Sequence, residues 1–200
     1  MDSPLKLSIL IPTLPERYKQ FVRLYDQLHQ QIAMNGLQQD VEVLFDPRPF
    51  GTTIGSKRQA LLDRAAGQYV AFIDDDDVIS GQYLSSVYRG VLSGVDVIGF
   101  IGHYYHNGVY VKPFKHSITC GTDTTGKPYW EDFNMFYRCP NHLNPMKREH
   151  ALKARFKAMN FSEDTDFAMQ LYALQCLKSE YMIEEPIYQY FYQSEKSYIV

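Results

Sequence analysis

Four aspartates in a row, Asp74-Asp75-Asp76-Asp77, close an apolar run at residues 69–73 and form the densest chemical feature of the sequence. Carboxylates this close repel one another and raise each other's pKa, a penalty that a hard divalent cation among them would offset. Oxygen donors suit Mg²⁺ or Mn²⁺ better than zinc. A solvated acidic turn is the alternative. A second acidic group, Ser162-Glu163-Asp164-Thr165-Asp166, opens a helical pattern, where acids serve either as capping devices or, for Asp164, as a general base. Lys57 and Arg58 lie at the amino end of another helix opening near Ser56, which makes them an anion site or plain surface charges.

Regular alternation of elements must position these groups. Residues 7–11, 41–45, 69–73 and 95–101 read as strands, the first of them a short apolar run suited to a strand covered on both faces. Phe21, Leu24, Leu28 and Ile32 recur at helical spacing up to Gly36, and helices are also expected from Ser56 to Gly67 and through Tyr83/Leu84, Val87 and Val91. Strand, helix, strand in this order implies right-handed crossovers and a parallel sheet. Ligands belong at the carboxyl ends of such strands, which collects Pro12, Thr13, Asp46 and the aspartate run on one edge. In the second half, Asn107-Gly108 signals a hairpin and residues 113–145 are loop-rich. Helices near 148–159 and 164–177 precede a strand at 187–192. The expected architecture is a mixed α/β domain with a small antiparallel addition, divided between residues 1–101 and 102–200.

Bulk composition narrows the function classes. The 200 residues, 45% hydrophobic and 22% charged, fit one globular domain rather than a disordered chain. A formal net charge of -3 leaves no global basic excess to attract nucleic acid. Cys120, Cys139 and Cys176 are too few and too scattered for a disulfide framework or a metal knuckle, so a reducing, cytoplasmic setting is expected. Residues 1–12 lack a basic leader and a cleavage site, and no segment approaches the roughly 18 apolar residues of a spanning helix. Sixteen tyrosines among the aromatics are enough to wall a sugar or base site, or simply to pack the core.

The run Val70-Ala71-Phe72-Ile73-Asp74-Asp75-Asp76-Asp77 resembles the Asp-X-Asp motif of family 2 glycosyltransferases of the GT-A fold. There this loop holds a metal against the diphosphate of a nucleotide sugar. Leu7-Ser8-Ile9-Leu10-Ile11-Pro12-Thr13 resembles the family's opening strand, whose Pro-Thr end touches the nucleoside. Asp46 matches the acid that meets a uracil base, although its place before Pro47 also fits a turn. Gly55-Ser56-Lys57-Arg58-Gln59 is similar to the Gly-X-X-Arg-Asn region, and Ser162-Glu163-Asp164 to the Gly-Glu-Asp motif, whose Asp is the base of inverting members. The resemblance runs from about Leu7 to Phe167.

This resemblance implies a GT-A-like, Rossmann-type domain that binds a UDP-sugar with Mn²⁺ or Mg²⁺ and transfers the sugar with inversion. The implied metal ligands are Asp76, Asp74 and Asp77, and the implied base is Asp164. Donor contacts are expected from Pro12, Thr13, Arg17, Asp46, Lys57, Arg58, Asp74, Asp75, His142, Lys147 and Arg148, with His142 equally readable as a structural histidine. Trp130 and Glu163 are the expected acceptor residues, although a lone Trp is also a common core residue. Members of this fold often add a late histidine to the metal shell. None follows His150, and Gln189 occupies the comparable stretch. The acceptor is expected to be a hydroxyl on a glycan, a lipid-linked sugar or a modified nucleobase, and a homo-oligomer is compatible with so short a chain. Asp74-X-Asp76-X-Val78 also fits a haloacid-dehalogenase-like phosphotransferase with Asp74 as nucleophile. A non-catalytic nucleotide-sugar-binding module is the remaining alternative.

Overall fold

The computed structural model describes residues 5–49 and 51–194; residues 1–4, Phe50 and residues 195–200 lie outside it. Strand β1 (Leu7–Pro12) is buried throughout. Leu7, Ile9 and Ile11 join one apolar cluster and Leu10 the other. Burial on both faces is the physical reason for its nearly unbroken apolar sequence. It pairs in parallel with β2 (Val41–Asp46) and β3 (Tyr69–Phe72). Helices α1 (Tyr18–Met34), α2 (Ile54–Arg64) and α3 (Tyr83–Leu92) supply the connections, and Leu24, Leu28 and Ile32 bury the expected stripe of α1.

The sheet continues through β4 (Val78–Ile79), β5 (Val97–His106), β6 (Val109–His116), β7 (Tyr129–Glu131), β8 (Phe136–Arg138) and β9 (Met146–Lys147), and it includes β10 (Glu180–Tyr192). Among the described residues the order is β2-β1-β3-β9-β5-β6-β8-β7, with β10 paired to both β5 and β4. Strand β9 is antiparallel to β3 and to β5, whereas β10 runs parallel to β5. Asn107 (φ 50°) and Gly108 (φ 78°) make the tight turn between β5 and β6. Two successive positive φ values suit a two-residue hairpin, which is what Asn-Gly signals. The mixed sheet flanked by helices is the expected fold class.

Several boundaries differ for tertiary reasons. Thr53, not Ser56, caps α2, its Oγ1 accepting the Ser56 N–H at 3.2 Å. The helix expected over 148–159 stops at α4 (Arg148–Ala151). Beyond it the backbone is recruited elsewhere: the Met159 carbonyl accepts from Gly55 N at 3.2 Å, and Phe156 N donates to Gln59 Oε1 at 3.0 Å. Helix α5 (Glu163–Leu174) is close to expectation, while β10 begins well ahead of residue 187.

Gly67 admits β3 beside β1, because a Cβ there would lie 2.6 Å from Ser8 N and 2.8 Å from Ser8 Oγ. Backbone atoms cannot yield as a side-chain tip can. Gly67→Ala should therefore destabilise the fold by about 1–3 kcal/mol, the usual range for overpacking. A lower urea midpoint at unchanged m-value would show it; an unchanged midpoint would refute the close-approach argument.

Candidate active site

The carboxyl ends of β1, β2 and β3 bring Thr13, Asp46 and the aspartate loop to one edge, beside a cavity of about 1450 Å³. Pro12, Thr13, Arg17, Lys57, Arg58, Asp74, Asp75, Asp76, His142 and Asp164 all line it. The four aspartates do not form one cluster. Partners from several elements compensate them, with Arg17 shared by Asp75 and Asp76, and that is how four like charges coexist.

Asp75 is buried and accepts hydrogen bonds from Thr13 Oγ1 at 2.6 Å and Arg17 Nη1 at 2.8 Å. The same Arg17 guanidinium lies 3.0 Å from Asp76, whose side chain is 27% exposed. Asp74 receives Arg58 Nη2 on both oxygens, at 2.7 and 2.9 Å, with His142 Nε2 at 3.5 Å. Burial opposes its ionisation, but Arg58 and His142 overcome this and hold the carboxyl well below the usual range. Asp77 turns away from the cavity and accepts from Tyr188 Oη at 2.8 Å and Phe191 N at 2.9 Å. Burial and the neighbouring carboxylates push its pKa well up. Asp77 therefore ties β10 to the loop and is unsuited to the ligand role expected of it.

Lys57 and Arg58 are buried, which removes the surface-charge reading. Lys57 Nζ donates to the Thr13 carbonyl at 2.6 Å, and burial lowers its pKa. Arg58 bridges Asp74 and Glu163. Glu163, expected to face an acceptor, is thus buried and committed to that guanidinium. Asp164 follows it in the first turn of α5, with Arg138 Nη2 at 3.2 Å and a side chain 25% exposed. Burial opposes its ionisation, but cationic His142, Arg138 and Arg58 favour it, and its pKa lies below the ordinary value. Burial and Arg58 depress His142 as well, so near neutrality the two arginines carry that effect. The Nδ1 of His142 is buried without a hydrogen-bond partner. Ser162 stands at the N-cap position of α5 with φ 62° and makes no side-chain capping bond.

Other expectations are corrected by strand direction and local pairing. Because β9 is antiparallel to β3, Lys147 lies opposite Tyr69 at the amino end of the sheet, away from the cavity. There it pairs with Asp96 at 3.0 Å, and Arg148 N donates to the Gln68 carbonyl. Asp46 is closed off by Arg48, whose Nε reaches both carboxylate oxygens at 2.9 Å. It is buried and does not line the cavity. Gln189 pairs with Val78 in the sheet and is likewise absent from the lining. Trp130 is exposed on the cavity wall, donates Nε1–H to the Cys120 carbonyl at 2.7 Å and stacks on Tyr137. Arg138 escaped the sequence reading; a cation in the strand-like run Phe136-Tyr137-Arg138 was its one signal.

Among the described residues no three His, Cys, Asp or Glu side chains converge as metal ligands. The donor set at the cavity is two hard carboxylates, Asp74 and Asp76. Mg²⁺ commonly binds one or two carboxylates and takes its other ligands from substrate phosphates and water. The pair fits that mode and not an all-protein cage.

Acids and buried cations thus surround one cavity at the carboxyl edge of a mixed sheet. The family model described as glycosyl transferase family 2 matches residues 8–158, and the chain belongs to that family. Among solved structures it is similar to Staphylococcus aureus TarS 1-349 in complex with UDP-GlcNAc, with a TM-score of 0.64, 17% identity, and coverage of 96% of this chain and 60% of that one. The complex of the same TarS fragment with UDP gives a TM-score of 0.62 at 17% identity, covering 94% of this chain and 61% of that one. A longer TarS structure gives 0.62 at 16% identity, with 94% of this chain and 37% of that one covered. The chain thus spans about 60% of the length of TarS 1-349. A search of curated proteins finds no match.

Asp96 offers a test of the relocated Lys147. It accepts from Lys147, His150, Lys178 N and Ser179 N, and although its burial opposes ionisation, these bonds depress its pKa. A depressed folded pKa gives stability that is present above the unfolded value of 3.8 and is lost as pH falls through the folded value. Asp96→Asn should lower the melting temperature at neutral pH, and the gap to wild type should close on acidification below that value. A gap that is constant with pH would sink the assignment.

Proposed function

We propose that the chain transfers a sugar from a UDP-sugar to an acceptor hydroxyl by direct displacement with inversion, using Asp164 as general base and Mn²⁺ or Mg²⁺ as cofactor. The observation that carries this reading is the placement of Asp164, held ionised by Arg138 and Arg58, on the same cavity as Asp74 and Asp76. Family membership supports the reaction class, and the TarS complexes with UDP-GlcNAc and UDP support the donor class.

In this reading Asp74 and Asp76 hold the cation, which when bound neutralises charge developing on the departing diphosphate. Lys57 and Arg17 add fixed positive charge at the ends of β1 and the aspartate loop, where no reorganisation is needed as the phosphate charge grows. Arg58 sets the direction of Asp74 with two hydrogen bonds and restrains Glu163, thereby fixing the start of α5. Asp164 takes the acceptor proton at a carboxylate oxygen. Anionic substrate beside Arg138 and Arg58 would draw on the charge that depresses its pKa and so strengthen it as a base. No helix is long and apolar enough to cross a membrane among the described residues, and three free cysteines favour a cytoplasmic setting.

The phosphotransferase reading needs Asp74 as a free nucleophile. Its loop follows the third strand rather than the first, and the ends of the strand and helix before it, Thr13, Lys57 and Arg58, line the same cavity. A binding module without turnover would bind UDP-sugars yet never hydrolyse or transfer them.

Asp164→Asn should retain UDP binding and lose about 10²–10⁴-fold in transfer or donor hydrolysis, the usual contribution of a general base. Full turnover in that variant would remove Asp164 from the role. Because its pKa in the free protein is depressed below 3.8, protonation of the base should produce no acid limb in kcat/KM between about pH 5 and 8. Separately, Asp76→Asn should abolish the Mn²⁺-dependent part of the thermal shift that UDP produces. An undiminished shift would take Asp76 out of the metal site.

A further inference from the structure

His116, the last residue of β6, is 3% exposed yet lines the cavity. Its ring is fixed from behind. Nδ1 lies 3.2 Å from Asn144 Oδ1, and two backbone groups set the orientation of that amide: Oδ1 accepts the Asn141 N–H at 3.1 Å and Nδ2 donates to the Ile98 carbonyl at 3.0 Å. A flipped amide would set N–H against N–H and oxygen against oxygen. Because Oδ1 can only accept, Nδ1 of His116 carries the ring proton and Nε2 keeps a bare lone pair. Burial and the Arg138 guanidinium hold the His116 pKa well below its ordinary value, so the ring stays neutral.

Nε2 is thus an acceptor with nothing bound to it. Among the described residues no donor reaches it, and it is not one of the side-chain atoms sealed from solvent without a partner. Arg138 does not answer it. Parallel register sets Arg138 beside His116 on the same face of adjacent strands, but its Nη2 goes to Asp164 at 3.2 Å and its Nε has no partner. The missing group must be a neutral donor. The diphosphate of a nucleotide sugar has no proton to give near neutrality, and a cation would lie against Arg138 where, among the described residues, no three metal ligands converge. A sugar hydroxyl or amide N–H meets the requirement.

The turn at residues 141–144 says which sugar. His142 Nε2 approaches Asp74 at 3.5 Å, and Asn144, two residues on, holds His116. In the displacement the transferred sugar must span from a diphosphate at Asp74 and Asp76 to a hydroxyl at Asp164, and Arg138 ties the strand beside His116 to that carboxylate. Resting on this reading of the site, we infer that His116 Nε2 accepts a hydrogen bond from a hydroxyl or amide N–H of the transferred sugar, making His116 a specificity-determining residue for the donor. A sugar that presents a carboxylate or no donor at that point leaves a buried lone pair unanswered, the mismatch against which polar sites discriminate most strongly. The bonds to Asn144 set the tautomer before any ligand arrives.

The test follows the ¹⁵N-histidine signals of the full chain with Mg²⁺, alone, with UDP, and with UDP-glucose, UDP-galactose, UDP-N-acetylglucosamine and UDP-N-acetylgalactosamine. His116→Gln assigns the signal by its loss. The free protein should show the neutral ring protonated at Nδ1, and Nε2 should shift with at least one UDP-sugar but not with UDP. A proton on Nε2 in the free protein, or the same response to UDP and to every UDP-sugar that binds, would overturn the assignment. Donor hydrolysis needs no acceptor and gives a second reading. His116→Phe, which keeps a ring beside Phe100 and Phe114, should lose at least about tenfold in kcat/KM for hydrolysis at unchanged UDP affinity and melting temperature. His116→Gln should recover part of the loss, because its Oε1 restores an acceptor near the Nε2 position.

Full hydrolysis by His116→Phe, or a parallel fall in its UDP affinity, would remove His116 from this role and leave the glycosyltransferase reading standing. Where the Phe variant does not fold, the wild-type spectra decide. A wild-type protein that binds UDP but no UDP-sugar would remove the donor reading itself, and this assignment with it.

Discussion

Arg58 is the charge on which the site is built. It is almost wholly buried, yet it holds Asp74 of the loop after β3 and Glu163 at the start of α5, residues far apart in the chain. A guanidinium taken out of water must be matched by charge and hydrogen bonds, and removing one partner of such a buried pair typically costs about 3–5 kcal/mol. The arrangement therefore enforces two things at once. Asp74 is ionised and aimed, and the helix bearing Asp164 is drawn against the cavity edge. Gly55 completes the joint, because a side chain there would overlap the Lys157 carbonyl and force apart α2 and the segment leading into α5.

The remaining aspartates follow the same logic of separate compensation. Thr13 and Arg17 satisfy Asp75, Arg17 also pairs with Asp76, and Tyr188 with the Phe191 amide satisfies Asp77. Asp74 and Asp76 keep 20% and 27% of their side chains exposed at the cavity, so the run of four acids resolves into two buried structural ties and two partly exposed carboxylates. Repulsion within the run did signal that something must compensate it. The compensating groups are mostly protein side chains brought in by β10, α2 and the turn after β1, a result that only the three-dimensional path of the chain decides.

That distinction explains what could be read from the sequence. The parallel strands were legible because burial on both faces leaves an apolar signature at residues 7–11 and 69–73. The edge bearing Thr13 and the aspartates was legible because strand-helix alternation fixes which ends meet. Lys147 and Arg148 were misplaced because sequence proximity to His142 says nothing about direction: the two residues of β9 run antiparallel to β3 and carry Lys147 to the opposite end of the sheet, where Arg148 begins α4. The helix expected to run on to residue 159 ends early because its backbone bonds to α2 instead, a tertiary demand with no local pattern. Asp46 had the right strand end, but Arg48, two residues on, closes it with a bidentate pair.

The wall opposite the aspartate loop was the least legible part, since β7 and β8 are each three residues long and leave no periodic signal. Yet they place Arg138, and Arg138 links the two halves of the cavity by touching both Asp164 and the ring of Tyr129. A carboxylate that felt the charge of buried Arg58 alone would sense only the α2 side of the cavity. With a second arginine on the aromatic wall, the ionisation of Asp164 depends on both sides, so a ligand that displaces or shields Arg138 would raise the basicity of the carboxylate beside it. The pairing thus couples whatever occupies the β7–β8 side of the cavity to the proton affinity of Asp164.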